Sequence, residues 1–382
     1  MSVIADLVLP TAEQELWRYS RIGELDLGAY AVGAADTTVS GDQSIISRDM
    51  RLTLDDVSAE PAAVFEQLHA RHPSSDGRPT PGGSAHGSTV RIGTSRGQTI
   101  ADPILITHNV RDSSVVCFPS LEIDAGENSE VVVVERFMSD DDCRSLVVPM
   151  VKIRAAQSAR VTYVAINDLG MNTWLIGYQR ALGERDSTVS TSTIALGGDY
   201  ARTRAGVRLV GQGASAKQVA LYFADGTQMH DFRTLQDHAA PRTHSDLLFK
   251  GAVKDHAKSV YTGLIKIRDN ADKSEAFQTN RNLTLSSGSW AESVPNLEIE
   301  TNDVKCSHAS TVGPVDDDQR FYLESRGIRP EIAERLVVFG FFADVINRLP
   351  AAAQPDVLRE KVGRKLLGDA TRGATPESGV RA

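Results

Sequence analysis

Short apolar runs fill the middle of the chain. From about residue 90 to residue 304, runs of β-branched and aromatic residues follow one another, among them residues 131–134, 160–166 and 218–223. Their length and composition are typical of β-strands. No apolar pattern with helical spacing over about ten residues interrupts them, which excludes the alternating strand and helix order of a doubly wound sheet.

The turns between these runs indicate how the strands stack. Small polar turns at residues 156–159, 184–187, 213–216 and 270–273 recur irregularly, often after about 20 to 30 residues, as they do between the coils of a β-solenoid. Regular hairpin dipeptides and the Cys and Trp signature of an immunoglobulin sandwich are missing from the sequence. We therefore predict a mainly β protein with a continuous β-helix over residues 89–313.

The N-terminal region has helical and linker patterns. A capping-box spacing begins at Thr11 and precedes a short amphipathic helix that we expect to end near Gly23. Residues 55–71 carry a second helical pattern, and residues 72–84 are rich in Pro, Gly and Ser, which is typical of a linker. We assign residues 1–88 to an N-terminal helical segment and linker.

After the β-rich region the chain becomes helical. Residues 316–318 supply an N-cap and negative charge for one helix, and Pro330 opens a second helix that runs to about Arg348. We predict a C-terminal helical domain over residues 314–368. Residues 369–382 are rich in Gly, Thr, Ser and Pro, and we expect them to form a disordered tail.

The second C-terminal helix has more apolar surface than contact with one other helix requires. At 100° per residue its apolar side chains form two adjacent stripes. The first stripe contains Ile332, Leu336, Phe339, Ala343 and Ile346, and the second, called here the predicted docking stripe, contains Val338, Phe341, Phe342, Val345 and Leu349. We expect one stripe to pack in the core of the domain and the docking stripe to contact a partner protein. The alternative is that a third helix over residues 356–367 covers it.

Composition and charge exclude several classes of function. The chain has 382 residues, of which 41% are hydrophobic and 24% charged, as in soluble globular proteins. A formal net charge of −9 argues against sequence-independent binding to nucleic acid or to an anionic membrane. No secretory signal is expected, and no apolar run reaches the roughly 20 residues of a membrane helix. Three scattered cysteines, Cys117, Cys143 and Cys306, indicate free thiols in the cytoplasm rather than a disulfide framework.

The best pair of metal ligands lies where the β-rich region ends. In an extended strand, Cys306 and His308 project from the same face, about 6.6 Å apart. A thiolate and an imidazole can bind the same iron or zinc ion, but two ligands do not complete a site. From these residues alone we favour a structural interpretation, in which a small buried thiol lies beside a hydrogen-bonded core histidine.

The other motifs do not indicate catalysis. Residues 93–97 match G-x-S-x-G and residues 211–216 approximate a dinucleotide fingerprint, but strand-like sequence follows each, so both are predicted to be turns. The chain has no phosphate-loop motif, so any ATP hydrolysis requires another subunit. His230, His238 and His244 lie within a short interval but lack the spacing of a closed metal site, which favours a polar loop.

Six sequence blocks share their order and spacing with a known protein family. The blocks are HSDLLFKG at 244–251, GLIKI at 263–267, QTNRNL at 278–283, PNLEI at 295–299, DVKCSH at 303–308 and FYLESRGI at 321–328. They resemble the C-terminal half of the SufB/SufD family, which belongs to the SUF machinery for iron–sulfur cluster assembly. Residues 15–19 are similar to the short N-terminal segment of that family. The block at 303–308 is similar to SufD rather than to SufB, and the cysteine cluster expected of SufB is absent from the sequence.

This resemblance implies a right-handed parallel β-helix that pairs with the β-helix of a SufB-like paralogue. It implies that the C-terminal helices, with the predicted docking stripe, bind the ABC-type ATPase SufC. In the family, the residues that match Cys306 and His308 lie at the SufB/SufD interface and are associated with iron acquisition or nascent cluster assembly. Both are therefore candidate ligands of an iron ion or cluster shared transiently with another chain. The expected function is that of a noncatalytic, SufD-like scaffold in a SufB–SufC–SufD complex.

Two alternatives remain open at this point. The first is a SufB-like scaffold that holds a cluster by itself. The second is a β-helix enzyme that acts on polysaccharide. Such an enzyme needs paired acids and aromatic platforms, whereas only 6% of the residues in this sequence are aromatic and no paired acids stand out.

Overall fold

The computed structural model of the protein describes residues 7–46, Leu52 and residues 89–368. Twenty strands lie in these described ranges. They are β1 Ala31–Val32, β2 Asp36–Ser40, β3 Thr89–Thr94, β4 Ile104–Val110, β5 Val115–Cys117, β6 Ser120–Ala125, β7 Glu130–Ser139, β8 Leu146–Val147, β9 Met150–Ala155, β10 Arg160–Asp168, β11 Trp174–Gly183, β12 Thr188–Ala195, β13 Tyr200–Leu209, β14 Ser215–Ala224, β15 Met229–His238, β16 His244–Val253, β17 Lys258–Ile267, β18 Glu275–Thr284, β19 Trp290–Ile299 and β20 Lys305–Gly313.

The strands form two long sheets. One has the order β1-β5-β8-β11-β13-β15-β17-β19, and β3, β6 and β9 join it where β9 pairs with β11. The other has the order β2-β4-β7-β10-β12-β14-β16-β18-β20. Every pairing between these strands is parallel except that of β2 with β4. This is a parallel β-helix of about eight coils, so the predicted fold class is confirmed.

Consecutive coils are in register, so residues about 30 positions apart are neighbours. Gln218 pairs with Leu247, Leu247 with Gln278, and Gln278 with His308. Side chains alternate between the two faces of a strand, and Gln218, Leu247 and Gln278 are all buried. This column of residues therefore faces the interior of the β-helix and ends at β20.

The interior changes in character along the β-helix. Its first coils contain aliphatic side chains such as Ile92, Ile123 and Val161, and the burial of each contributes about 1.5–3 kcal/mol. Later coils contain tyrosines and amides. The hydroxyl of Tyr222, for example, donates to Oδ1 of Asn282 over 2.6 Å. The interior therefore combines aliphatic packing with buried, hydrogen-bonded polar side chains.

The predicted turns between strands are present. Asp186 and Lys273 lie at two of them with φ values of 56° and 61°, in the left-handed region that tight turns use. Residues 95–98 form a turn after β3, and residues 210–214 connect β13 to β14. Neither Gly-rich motif therefore precedes a helix, as the sequence predicted.

The predicted N-terminal α-helix is replaced by three 3₁₀ turns, Glu15–Trp17, Ile22–Glu24 and Leu27–Ala29. The helical segment predicted over residues 55–71 and the linker over residues 72–84 lie outside the described residues.

Arginines from the β-helix explain why residues 15–19 do not form an α-helix. Arg202 donates to the backbone carbonyl of Leu16, and Arg233 donates to the carbonyl of Arg18 over 2.7 Å. The guanidinium of Arg202 also lies over the ring of Trp17, 4.1 Å from its centroid. An α-helix needs its carbonyls for its own N–H groups, and Tyr19 has a φ of 66°, which interrupts helical geometry.

The disordered tail predicted over residues 369–382 lies outside the described residues. Residues 315–368 form a compact unit of their own. Its described helices are α1 Asp317–Ser325, α2 Pro330–Ile346 and α3 Pro355–Leu367, with a 3₁₀ turn at Ala351–Ala353. The carboxylate of Asp316 accepts from the backbone N–H of Gln319 over 2.9 Å, which confirms the predicted N-cap. α2 packs against both α1 and α3. Across the described residues, no helix combines the length and apolar character needed to cross a bilayer.

Candidate metal centre

The candidate ligands lie on β20, the last strand of its sheet. β20 pairs with β18 on one side only, with Cys306 opposite Ala276 and His308 opposite Gln278. Because Ala276 and Gln278 are buried, Cys306 and His308 project toward the interior side of the last coil. The prediction that both residues share one face of a strand is confirmed. The other edge of β20 has no strand partner among the described residues.

The two candidate ligands differ in exposure. Cys306 is half-buried and packs against the apolar cluster that contains Ile265 and Ala276, and this burial raises the pKa of its thiol. His308 is exposed and has no hydrogen-bond partner in the part of the chain that the structure describes. The structural interpretation favoured by the residues alone, a buried thiol beside a hydrogen-bonded core histidine, is therefore wrong for His308.

Two donors form only part of a metal site. Iron and zinc bound through thiolate and imidazole normally have four ligands. Among the described residues, no group of three or more His, Cys, Asp or Glu side chains is placed to hold a metal ion. The chemistry of Cys306 and His308 fits iron, and the exposed edge of β20 leaves room for ligands from another molecule.

The three clustered histidines are not in a loop, so that interpretation was wrong. His230 and His238 lie on β15 and are fully buried, whereas His244 begins β16. His238 makes hydrogen bonds to Thr243 and Ser245 over 2.7 and 2.8 Å. Burial lowers the pKa of His238 to about 4, so its ring is neutral at pH 7. None of the three belongs to a metal-binding group within the described ranges.

The remaining cysteines are structural. Cys117 and Cys143 are buried in one apolar cluster, and no disulfide joins them. Burial, together with the neighbouring Cys143, raises the pKa of Cys117 to about 12. Cys117 therefore stays a protonated thiol at physiological pH, and Cys306 is the candidate for metal chemistry.

The predicted docking stripe is mostly covered. Four of its members are buried and Phe341 is half-buried. α3 packs on α2, and the ring of Phe339 on α2 approaches Gly363 on α3. The buried members are Val338, Phe342, Val345 and Leu349. The third helix that the alternative required is present as α3, and the contact named here is made by Phe339 of the first stripe. In this conformation the exposed apolar side chains of the helical unit are others, namely Phe321, Tyr322, Ile332, Leu336, Val357 and Leu367.

A groove of about 490 Å³ lies on the face of β15, β17 and β19 that carries Leu235 and Leu264. Its three carboxylates are ion-paired: Asp237 with Arg268 over 2.9 Å, Glu298 with Lys266, and Glu15 with Arg18 over 3.8 Å. None of the described residues that line it is aromatic. The groove therefore lacks the free acid pair and aromatic platform that a polysaccharide-active β-helix enzyme requires.

Sequence reasoning did not single out Gln278. This residue lies one coil before His308 and is its direct partner in the β18–β20 pairing. A 30-residue offset from His308 would have found it, but the coil length is fixed only once the register is known. Gln278 is 2% exposed, and its Oε1 has no hydrogen-bond partner in the described structure.

Comparison with known proteins gives a consistent picture. Residues 107–341 match the family described as SUF system FeS cluster assembly, SufBD core domain. The chain is 34% identical, over 93% of its own length and 87% of the relative, to an iron–sulfur cluster assembly SufBD family protein of Mycobacterium tuberculosis. It is 28% identical to the iron–sulfur cluster assembly protein SufD of Escherichia coli, over 90% of this chain and 78% of that protein. It is 30% identical to SufD of Bacillus subtilis, over 70% and 62% of the two chains.

Proposed function

Because the chain belongs to the SufB/SufD family and is most like SufD, we propose that it is a noncatalytic scaffold subunit of a SufB–SufC–SufD-type complex. Its role lies in iron–sulfur cluster assembly. In this proposal, the chain assists iron acquisition and cluster assembly at an interface with a SufB-like paralogue. Iron is therefore a transient substrate of the chain.

The observation that carries this proposal is the position of Cys306 and His308 on a terminal strand. Among the described residues, no strand pairs with the outer edge of β20, so its backbone N–H and C=O groups can pair with a strand of another chain. A strand added there would lie about 4.8 Å from β20, near enough to bring its side chains beside both candidate ligands. A SufB-like paralogue can thus supply the ligands that this chain lacks.

The chemistry of the thiol fits transient binding. Burial holds the pKa of Cys306 above its ordinary value, so the free chain presents a protonated thiol at pH 7. Binding of iron requires that this proton leave, and metal affinity therefore rises with pH. His308 adds an imidazole nitrogen, which is a common ligand of first-row metals.

The proposed energy source is an ABC-type ATPase of the SufC kind, which the helical unit would bind. The exposed side chains of Phe321, Tyr322 and Leu336 provide an apolar surface on α1 and α2 for this contact. Phe341 lies half-buried on α2 and is the one member of the predicted docking stripe available to extend that surface. The buried members of the stripe support the helices that carry this surface.

The experiment that tests the site is the substitution His308→Ala in the reconstituted complex. We expect iron uptake, measured anaerobically by metal analysis, to fall about tenfold or more because a metal ligand is removed. Ser310→Ala is the matched control, since Ser310 lies on the same strand and face, two residues further along. Iron uptake by the His308 variant equal to that of the wild type and the control would refute the role proposed for this histidine.

A further inference from the structure

Two polar groups that have no hydrogen-bond partner among the described residues lie on paired strands at the end of the β-helix. His308 is exposed on β20, and Gln278 is buried on β18 directly opposite it. Within the described residues, neither the His308 ring nor Oε1 of Gln278 has a hydrogen-bond partner. Paired residues of neighbouring strands are about 4.8 Å apart, so a rotation of the glutamine side chain can bring its carbonyl to the ring.

A glycine keeps space for this carboxamide. A Cβ atom at Gly263 on β17 would lie only 2.5 Å from Oε1 and 2.6 Å from Nε2 of Gln278. The hydroxyl of Tyr261, 2.4 Å from the same point, borders the same space. Any larger residue at position 263 would displace the carboxamide. The side chain of Gln278 is thus kept in the interior although its buried Oε1 has no hydrogen-bond partner among the described residues. Leaving this carbonyl oxygen without a hydrogen bond costs folding free energy.

Metal binding would give this carbonyl a partner. A histidine that ligates a metal through one ring nitrogen almost always donates the N–H of its other ring nitrogen to an acceptor, which fixes the ring. Within the described structure, His308 lacks such an acceptor and Gln278 has one to offer. We propose that Gln278 is the positioning residue of His308, accepting the N–H of the ring nitrogen that does not bind iron.

An amide side chain at position 278 suits a site that binds iron transiently. A carboxylate acceptor would increase the basicity of the imidazole and strengthen its bond to iron, whereas a neutral amide orients the ring with a smaller electronic effect. Gln278 therefore orients the ring of His308 without strengthening its bond to iron, so the iron can be released. This inference rests on the proposed iron site at Cys306 and His308 and adds a residue to it.

The test compares Gln278→Met with the wild type in the assembly co-purified with its partners. Methionine keeps the length of the side chain but removes the acceptor. We expect the affinity for Co²⁺, titrated by absorption as a stand-in for iron, to fall about 10- to 100-fold, and Gln278→Glu to restore it. Gln218→Met is the control. Like Gln278, Gln218 is buried in the interior column and its Oε1 has no hydrogen-bond partner among the described residues. It lies on β14, two strands before Gln278 in the sheet, and is therefore not paired with His308.

A second measurement separates positioning from folding. In the Zn²⁺-loaded assembly labelled with ¹⁵N-histidine, the ring N–H of His308 should exchange slowly with water in the wild type and rapidly in the Gln278→Met variant. Wild-type affinity and slow exchange in that variant would overturn the role of Gln278. If His308→Ala impairs Co²⁺ binding in the same experiment, the iron site itself stands. If His308→Ala binds Co²⁺ as tightly as the wild type, or if the wild type binds no Co²⁺, both proposals fail.

Discussion

At the residue scale, hydrogen-bond partners decide which histidines can bind a metal. The side chains of His238 and His308 both project from the interior face of a strand. Both ring nitrogens of His238 make hydrogen bonds, whereas neither ring nitrogen of His308 does so within the described residues. The sequence indicated that Cys306 and His308 share a face, because alternation in a strand is fixed by geometry. It did not indicate burial or partners, since these depend on which coil packs against which.

The buried His238 should make stability depend on pH. Its pKa of about 4 in the folded state lies below the ordinary value of 6.5, so the unfolded chain binds an additional proton between these values. The stabilisation is fully present above about pH 6.5 and is lost as the pH falls to about 4, with a total of about 3 kcal/mol. Chemical denaturation across this range should show the loss in the wild type and a flatter profile in His238→Gln.

His244→Gln is the control for this measurement, because His244 is partly exposed at the start of the next strand. It should retain the pH dependence of the wild type. The same flattening in both variants would show that the effect does not arise from the buried ring of His238.

At the scale of elements, helix starts were predictable and helix contacts were not. Asp316 caps α1, and Pro330 begins α2, because capping and proline preferences are local. The side of α2 that faces solvent depends on where α3 lies, which no local pattern encodes. The N-terminal segment shows the same limit: the spacing at Thr11 suits a helix, but Arg202 and Arg233 bind the backbone carbonyls that a helix would use.

Substitutions in the helical unit should separate packing from partner binding. Phe342→Ala removes a fully buried ring and should destabilise the protein by about 3–5 kcal/mol in denaturant unfolding. Phe321→Ala alters a side chain that is 72% exposed and should change stability by less than about 0.5 kcal/mol. Only Phe321→Ala should reduce co-purification of the ATPase while the chain remains folded. Retention of the ATPase by this variant would contradict the proposed contact surface.

At the scale of the whole molecule, the described structure contains a β-helix whose last strand carries the two candidate ligands, Cys306 and His308. The succession of short strands without intervening helices was enough to predict the solenoid. The register between coils was not predictable, because turn lengths vary, and Gln278 was therefore missed as the neighbour of His308. Further donors to join the candidate ligands Cys306 and His308 were not predictable from the sequence either, since the described part of this chain supplies no third one.

The most direct test of the central claim is affinity purification of the full chain, followed by determination of subunit composition and iron content. Wild type and the double variant Cys306→Ser, His308→Ala are compared after anaerobic reconstitution. We predict that both recover a SufB-like paralogue and an ABC-type ATPase in the same proportions, and that the double variant carries several-fold less iron. A wild-type chain recovered without these partners, or a double variant with wild-type iron content, would contradict the account.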